Sequence, residues 1–352
     1  MLKVTLKKPP AHRTGETSMH KLMDPDADAA TEPVARATDP EPAGAPAASN
    51  PRPFRPLVFG ETLYDHFPDG TRALGGAPFN VAWHLRGFKA TPLLITRIGQ
   101  DPQGREIQAR MAEWGMDPLG VQVHPDRPTG KVTVELEGGE VRFRIEAQQA
   151  YDEIEARKLP DPDTVAEVDL LYHGTLAMRS PVSRDALTLL REGAAAPVLV
   201  DINLREPWWT RDAVAWALEG AQWAKMNGHE AASLTGVPAD NDEAILEAAE
   251  RIRHRHRIRH LIVTLGSRGA LGLDSSGIVR QDGVEVEDMV DTVGAGDAFS
   301  AVVALGIHLA WPMDLILRRA AAFAADVCRI RGATANDPDL YVRHGRNWND
   351  ES

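Results

Sequence analysis

The sequence predicts an α/β protein: a three-layer α/β/α sandwich with a mostly parallel central sheet and a small β lid. Three observations carry this reading. Short Val/Ile/Leu-rich runs alternate with amphipathic segments of helical length, the pattern of a parallel sheet covered on both faces. One stretch breaks the alternation with two runs of period two joined by Gly138-Gly139. Several apolar runs end on polar residues or glycine, at the edge where parallel sheets hold their ligands.

Taken in order, residues 1–52 are rich in Pro, Ala and Asp and poor in large apolar side chains, and read as a disordered tail in which Met19 or Met23 offers an alternative start. Leu57-Val58-Phe59-Gly60 is a short buried strand followed by Glu61 to Asp65. A turn-rich piece leads to Gly75-Gly76, then an apolar helix from Pro78 to about Phe88, with proline in the first turn. Further strands are expected at 92–98, 168–174, 197–202, 221–226, 260–265 and 269–273. Helices are expected at 101–114, 182–193, 207–219, 240–256, 296–309 and 313–330. The exceptional stretch, 131–146, places Val132, Val134, Leu136, Val141, Phe143 and Ile145 on one face of a hairpin. A two-stranded ribbon with one apolar face is marginal alone in water, so that face must cover a ligand cleft, a second subunit or its own domain.

The chain has 352 residues, 43% hydrophobic and 26% charged, which is ample for a large core. Its formal net charge of −12 argues against a nucleic-acid partner, although a local phosphate site is compatible with it. The single cysteine, Cys328, excludes an internal disulfide framework and fits a reducing cytoplasm. No apolar run has the length of a membrane span, and the start lacks a basic-then-apolar secretion signal, so the expectation is a cytoplasmic protein with no membrane partner. The basic run 251–260 closes a helix, where cations are favoured, and reads as a solvated helix end.

The most chemical stretch is Asp291-Thr-Val-Gly-Ala-Gly-Asp297-Ala-Phe299. Unpaired N–H groups at a helix start favour negative charge, and glycines let a phosphate approach that backbone closely. A carboxylate beside an anion site is costly unless needed, and a base that deprotonates an attacking hydroxyl is such a need. The stretch therefore suggests phosphoryl transfer to an alcohol; its alternative is a plain glycine turn with an acidic helix start. It is no dinucleotide fingerprint, because Phe299 stands where the third glycine belongs, and the chain has no Gly-Lys-Ser/Thr phosphate loop. Four other places converge on the same edge. Gly75-Gly76-Ala-Pro-Phe-Asn80 pairs two glycines with an early helical Asn, and three strand ends carry Asp201-Ile-Asn-Leu-Arg205, Asn227-Gly-His-Glu230 and Thr264-Leu-Gly266-Ser-Arg-Gly269.

With these motifs in that order the chain resembles the ribokinase-like, or PfkB, carbohydrate kinases, from about Pro56 to Gly345. Gly75-Gly76-Ala-Pro-Phe-Asn80, with Gly87 and Gly99 downstream, and Asp291 to Asp297 carry the resemblance. It implies a ribokinase-like kinase domain over 53–345 and a C-terminal tail at 346–352. It implies Asp297 as the base, and Gly294, Ala295 and Gly296 as the anion hole. Asp65, Gly75, Gly76 and Asn80 would hold the sugar, and Arg205 would contact sugar or phosphates, or else form a strand-end ion pair. Asn227 and Glu230 would organise Mg2+ and the phosphates, mostly through water. Thr264, Gly266 and Gly269 would form the loop on the ATP side. A monovalent cation such as K+ would use Asp291, the Val293 carbonyl and the loop Gly332 to Asn336. The hairpin would be the lid, which in relatives often pairs a homodimer. Gly-Gly-Ala-Pro-x-Asn and Asp-x-Asn-x-Arg look fructokinase-like, so the acceptor implied is a neutral monosaccharide, fructose first. Phe79, where many fructokinases have a smaller residue, leaves ribose, 2-keto-3-deoxygluconate and a nucleoside open. A sugar- or nucleotide-binding regulator without turnover is the reading from another class.

Overall fold

The computed structural model describes residues 52–137 and 140–350. The tail expectation falls on residues outside that range except for Arg52, which pairs with Asp169, and the Gly138-Gly139 turn lies outside it too. The strands are β1 (Pro56–Phe59), β2 (Leu63–His66), β3 (Arg72–Gly75), β4 (Leu93–Gly99), β5 (Val121–His124), β6 (Gly130–Glu137), β7 (Glu140–Ile145), β8 (Leu170–His173), β9 (Val198–Asp201), β10 (Trp223–Asn227), β11 (His260–Thr264), β12 (Ala270–Asp274) and β13 (Gly277–Gln281). The helices are α1 (Ala77–Gly87), α2 (Pro102–Trp114), α3 (Pro162–Ala166), α4 (Pro181–Gly193), α5 (Arg211–Leu218), α6 (Gly228–Thr235), α7 (Asp242–His256), α8 (Ala295–His308), α9 (Met313–Val327) and α10 (Pro338–Asp350).

Nine strands form one sheet in the order β13-β12-β11-β10-β9-β8-β1-β4-β5. It is parallel from β5 to β11, and only the β12 and β13 edge runs antiparallel. The buried strands alternate their side chains between two cores. Leu57 and Phe59 face one, with Leu187 of α4, Ala217 of α5 and Ile252 of α7. Val58 faces the other, with Phe79 of α1, Val302 of α8, Phe323 of α9 and Trp348 of α10. This is the three-layer sandwich, and period two in the strands is its cause. Chain order reverses where β1 lies between β8 and β4, and the crevice at the carboxyl ends there is where such folds bind ligands.

A second sheet, β3-β2-β6-β7, is the lid. The hairpin pairs Val132 with Ile145 and Val134 with Phe143. Val132, Val134 and Ile145 are buried, the first and last within the core of their own domain, whereas Phe143 is 54% exposed. The piece read as turn-rich before Gly75 is in fact β2 and β3: four-residue strands on a half-exposed sheet are too short for their alternation to show. Strands β5 and β13 and helices α3, α6 and α10 were likewise illegible as short or polar segments. The helix expected from 207 starts only at Arg211, after the cis Glu206–Pro207 bond. The domain boundary drawn at 345 is corrected: 346–350 continue α10, whose Trp348 is 6% exposed against Trp311.

Candidate active site

Two helix starts meet at the crevice. α8 begins at Gly294, with φ of 81°, and carries Asp297 in its first turn. Its body from Ala298 to Ala304 is buried and, apart from Ser300, apolar, so packing fixes where the helix starts. α1 begins at Gly76, with φ of 104°, and carries buried Asn80. The two are joined: Asn80 Nδ2 donates to Asp297 Oδ2 at 2.8 Å. A β-carbon on Gly76 would sit 2.5 Å from the Glu61 carbonyl, and one on Gly294 would sit 2.4 Å from Ala333 Cα. Both turns therefore require glycine for conformation and for space. Around Gly75 a β-carbon would lie 3.6 Å from Asp65 Oδ2 and 3.9 Å from Asn80 Nδ2, so Asp65, Gly75, Asn80 and Asp297 share one pocket.

The pocket is unusually rich in carboxyls that resist ionising. Burial pushes Asp297 up to about 6, although the Asn80 amide, Lys225 and Arg205 pull against it. Burial likewise raises Asp65 to about 6. Sequence reasoning missed Glu61, which burial raises to about 7 in the field of Arg205, Asp297 and Arg179. It is 4% exposed, and among the described residues neither its Oε2 nor the Asn80 Oδ1 has a hydrogen-bond partner. Native proteins rarely bury such atoms unpaired. The signal was its position directly after a buried strand.

Sequence reasoning also missed Lys225. It sits in the buried strand β10, and its Nζ bonds Asp201 Oδ2 at 2.8 Å. The same oxygen accepts from Ser300 of α8 at 2.7 Å and from Tyr172 at 3.3 Å. Asp201 thus ties four elements together rather than facing a ligand, and it holds the ammonium 3.5 Å from where a Gly296 β-carbon would stand. A lysine inside a Val/Met/Leu strand was the available signal. Arg205 is exposed at the mouth, in the fields of Glu61, Asp65 and Asp297; no ion pair to it is found among the described residues.

Asn227 and Glu230 cap α6 in a box: Asn227 Oδ1 accepts from the Glu230 N–H at 2.9 Å and Glu230 Oε2 from the Asn227 N–H at 2.7 Å. Glu230 Oε1 takes the Leu204 N–H at 2.8 Å, which splints the Asp201 to Arg205 loop. Both carboxylate oxygens are engaged, which fits contact with a hydrated ion through water better than direct ligation. Thr264 ends β11 beside Asn227, and Gly266 and Gly269 turn after it; a β-carbon on Gly269 would strike the Gln281 carbonyl at 1.9 Å. Asp291 holds the Val293 N–H at 3.0 Å and the Gly332 N–H at 3.1 Å. Both Asp291 carboxylate oxygens are thus occupied by backbone N–H groups of the two loops they join. Among the described residues no group of three His, Cys, Asp or Glu could hold a metal ion, and no helix is long and apolar enough to cross a membrane.

The chain belongs to the pfkB family of carbohydrate kinases, which it matches over residues 57–340. It is 27% identical to fructokinase-1 of Oryza sativa subsp. japonica over 258 residues, covering 70% of this chain and 77% of that one. It is 28% identical to the fructokinase of Klebsiella pneumoniae over 264 residues, covering 71% and 83%. Among solved structures, the fructokinase of Vibrio cholerae O395 with fructose, ADP and calcium superposes with a TM-score of 0.69 at 25% identity, covering 82% of this chain and 98% of that one. Aminoimidazole riboside kinase of Salmonella enterica superposes with a TM-score of 0.70 at 21% identity, covering 82% and 99%, which bears on fold alone.

Proposed function

We propose that this enzyme transfers the γ-phosphate of ATP to a primary hydroxyl of a neutral monosaccharide, with fructose the first candidate. The observation that carries this is the Asn80–Asp297 bond, which sets a carboxyl raised to about 6 between a hydroxyl-binding pocket and the start of α8. Asp65, Asn80 and Glu61 bind acceptor hydroxyls, and Gly75 and Gly76 leave room for them. Asp297, ionised at neutral pH, takes the hydroxyl proton as that oxygen bonds to phosphorus. The bond from phosphorus to the ADP oxygen breaks, and Asp297 later returns its proton to solvent. The N–H groups of Gly294, Ala295 and Gly296, with the Lys225 ammonium below, stabilise charge on the moving phosphoryl group. Thr264, Gly266 and Gly269 border the nucleotide. Magnesium, held through water by Asn227 and Glu230, would supply phosphate charge neutralisation; potassium beside Asp291 and the Val293 carbonyl would steady the glycine turn. The lid excludes water, and its exposed Phe143 supports pairing with a second copy, checked by light scattering. A cytoplasmic site of action goes with the proposal.

One observation favours a second acceptor. Arg205 stands free of carboxylate partners among the described residues, and a sugar acid such as 2-keto-3-deoxygluconate would use it. The test is ADP release from Mg-ATP over a panel of fructose, ribose, 2-keto-3-deoxygluconate and a nucleoside. A sugar that stimulates wild type but not Asp297→Asn supports the reading. Binding without turnover for every sugar would favour a regulator instead.

A further inference from the structure

Two side chains unused by this mechanism lie on α1, one turn beyond Asn80. Trp83 Nε1 donates to the Ala335 carbonyl at 2.8 Å. His84 Nε2 lies 3.0 Å from the Ala333 carbonyl, and its Nδ1 lies 2.9 Å from the Tyr341 hydroxyl. His84 is fully buried, and burial holds its imidazole down at about 4, so the ring is neutral and carries one N–H. A carbonyl only accepts, so that hydrogen belongs on Nε2; the single hydrogen of the Tyr341 hydroxyl is shared between Nδ1 at 2.9 Å and the Ala335 carbonyl at 3.1 Å, which ties Tyr341 to the same loop. The two carbonyls belong to the loop 332–336, which closes on the anion hole: Ala333 is the residue that a Gly294 β-carbon would strike. The loop reaches the same turn from its other side, where the Gly332 N–H shares the Asp291 carboxylate with the Val293 N–H.

α1 is buried from Ala77 to Leu85, and apolar side chains would pack there without any donor to satisfy. Burying an N–H requires a partner, at a penalty of about 1–3 kcal/mol if it is missing. What the donors achieve is directional: they orient a loop backbone that belongs to neither sheet.

We propose that Trp83 and His84 are positioning residues for phosphoryl transfer, holding the 332–336 loop against Gly294 so that the anion hole is set by the same helix that presents Asn80 to the acceptor. This rests on the anion-hole reading above. The geometry makes α1 a rigid strut between the two half-sites, with the Asn80–Asp297 bond as one arm and the loop contacts as the other.

The test uses His84→Phe and Trp83→Phe, which keep ring packing against Phe323 and Trp114 and remove the donors. His84→Gln, which can donate to Ala333 and accept from Tyr341, is the rescue. Calorimetry with Mg-ADP alone and with fructose alone separates the half-sites, and steady-state rates follow on the sugar that stimulates most. We expect Mg-ADP affinity and kcat each to fall about tenfold in the Phe variants, the worth of one lost buried hydrogen bond, with sugar affinity within about twofold of wild type. His84→Gln recovers most of both. Phe variants that lose thermal stability yet keep wild-type Mg-ADP affinity and kcat per folded site would overturn the proposal, as would equal losses for sugar and nucleotide. Gly296→Ala runs in parallel: wild-type Mg-ADP affinity and kcat in that variant would refute the anion-hole reading itself, whatever His84 does.

Discussion

Helices α1 and α8 start alike and work differently. Both open at a positive-φ glycine whose missing side chain is required by a neighbouring backbone, Glu61 for Gly76 and Ala333 for Gly294. Around the α1 start stand carboxyl and amide side chains: Glu61, Asp65 and Asn80. Around the α8 start stand backbone N–H groups, of which that of Ala295 also reaches the Thr292 carbonyl at 3.3 Å, and the buried Lys225–Asp201 pair. The first can discriminate hydroxyls by their arrangement, because each side chain donates or accepts in one direction. The second suits any phosphoryl group, because backbone N–H groups recognise charge. In the proposed mechanism one end of the cleft therefore serves specificity and the other phosphoryl transfer.

The largest effect should come from the residue bridging the two ends. Asp297→Asn is expected to lower kcat about a thousandfold, the usual range for a lost general base, with sugar affinity little changed by calorimetry. An unchanged rate would remove Asp297 from the mechanism. Next, Lys225→Met strands the buried Asp201 charge, which should destabilise the fold by about 3–5 kcal/mol in a denaturant titration. The same change takes a cation from the field of Asp297, so the acid limb of the rate profile should move to higher pH in whatever fraction folds. A limb that stays put would mean that the ammonium does not act on the base.

The paired glycines sharpen the comparison further. Gly294→Ala must be strained, by about 1–3 kcal/mol from its positive φ and more from the Ala333 backbone. Gly296→Ala meets only Lys225 Nζ at 3.5 Å, an ordinary contact, so it should leave melting temperature nearly unchanged while lowering kcat through a crowded phosphate site. Equal melting losses for the two would contradict the geometry.

The smallest effect is on pH. Turnover needs Asp297 ionised, so the rate should fall as pH drops through about 6 rather than through the usual carboxylate range. Ligand-free stability should trend the opposite way. Glu61, at about 7 folded against 4.5 otherwise, binds its proton more tightly in the fold, so stability declines as pH rises from about 4.5 to 7. Glu61→Gln should flatten that decline in thermal melts across the window.

Much of this was legible in the chain itself. Periodicity announced the sheet and its helices, because burial on two faces forces Val/Ile/Leu runs and burial on one forces helical stripes. Glycine pairs beside Asn80 and Asp297 announced both helix starts, because only glycine fits those turns. What could not be read was whatever depends on partners far away in sequence. Asp201 looked like a ligand-facing strand end, and only the meeting of β8, β9, β10 and α8 turned it into the counter-charge of Lys225. Glu61 showed in the chain only as a residue following a strand, and its burial alone raised its affinity for a proton, against the pull of Arg205 and Arg179. Asn80 and Asp297 are 217 positions apart, so their bond exists only because two buried helices converge on one crevice. Local conformation follows from each residue's own backbone preferences; protonation, pairing and loop position follow from desolvation, which tertiary packing alone decides.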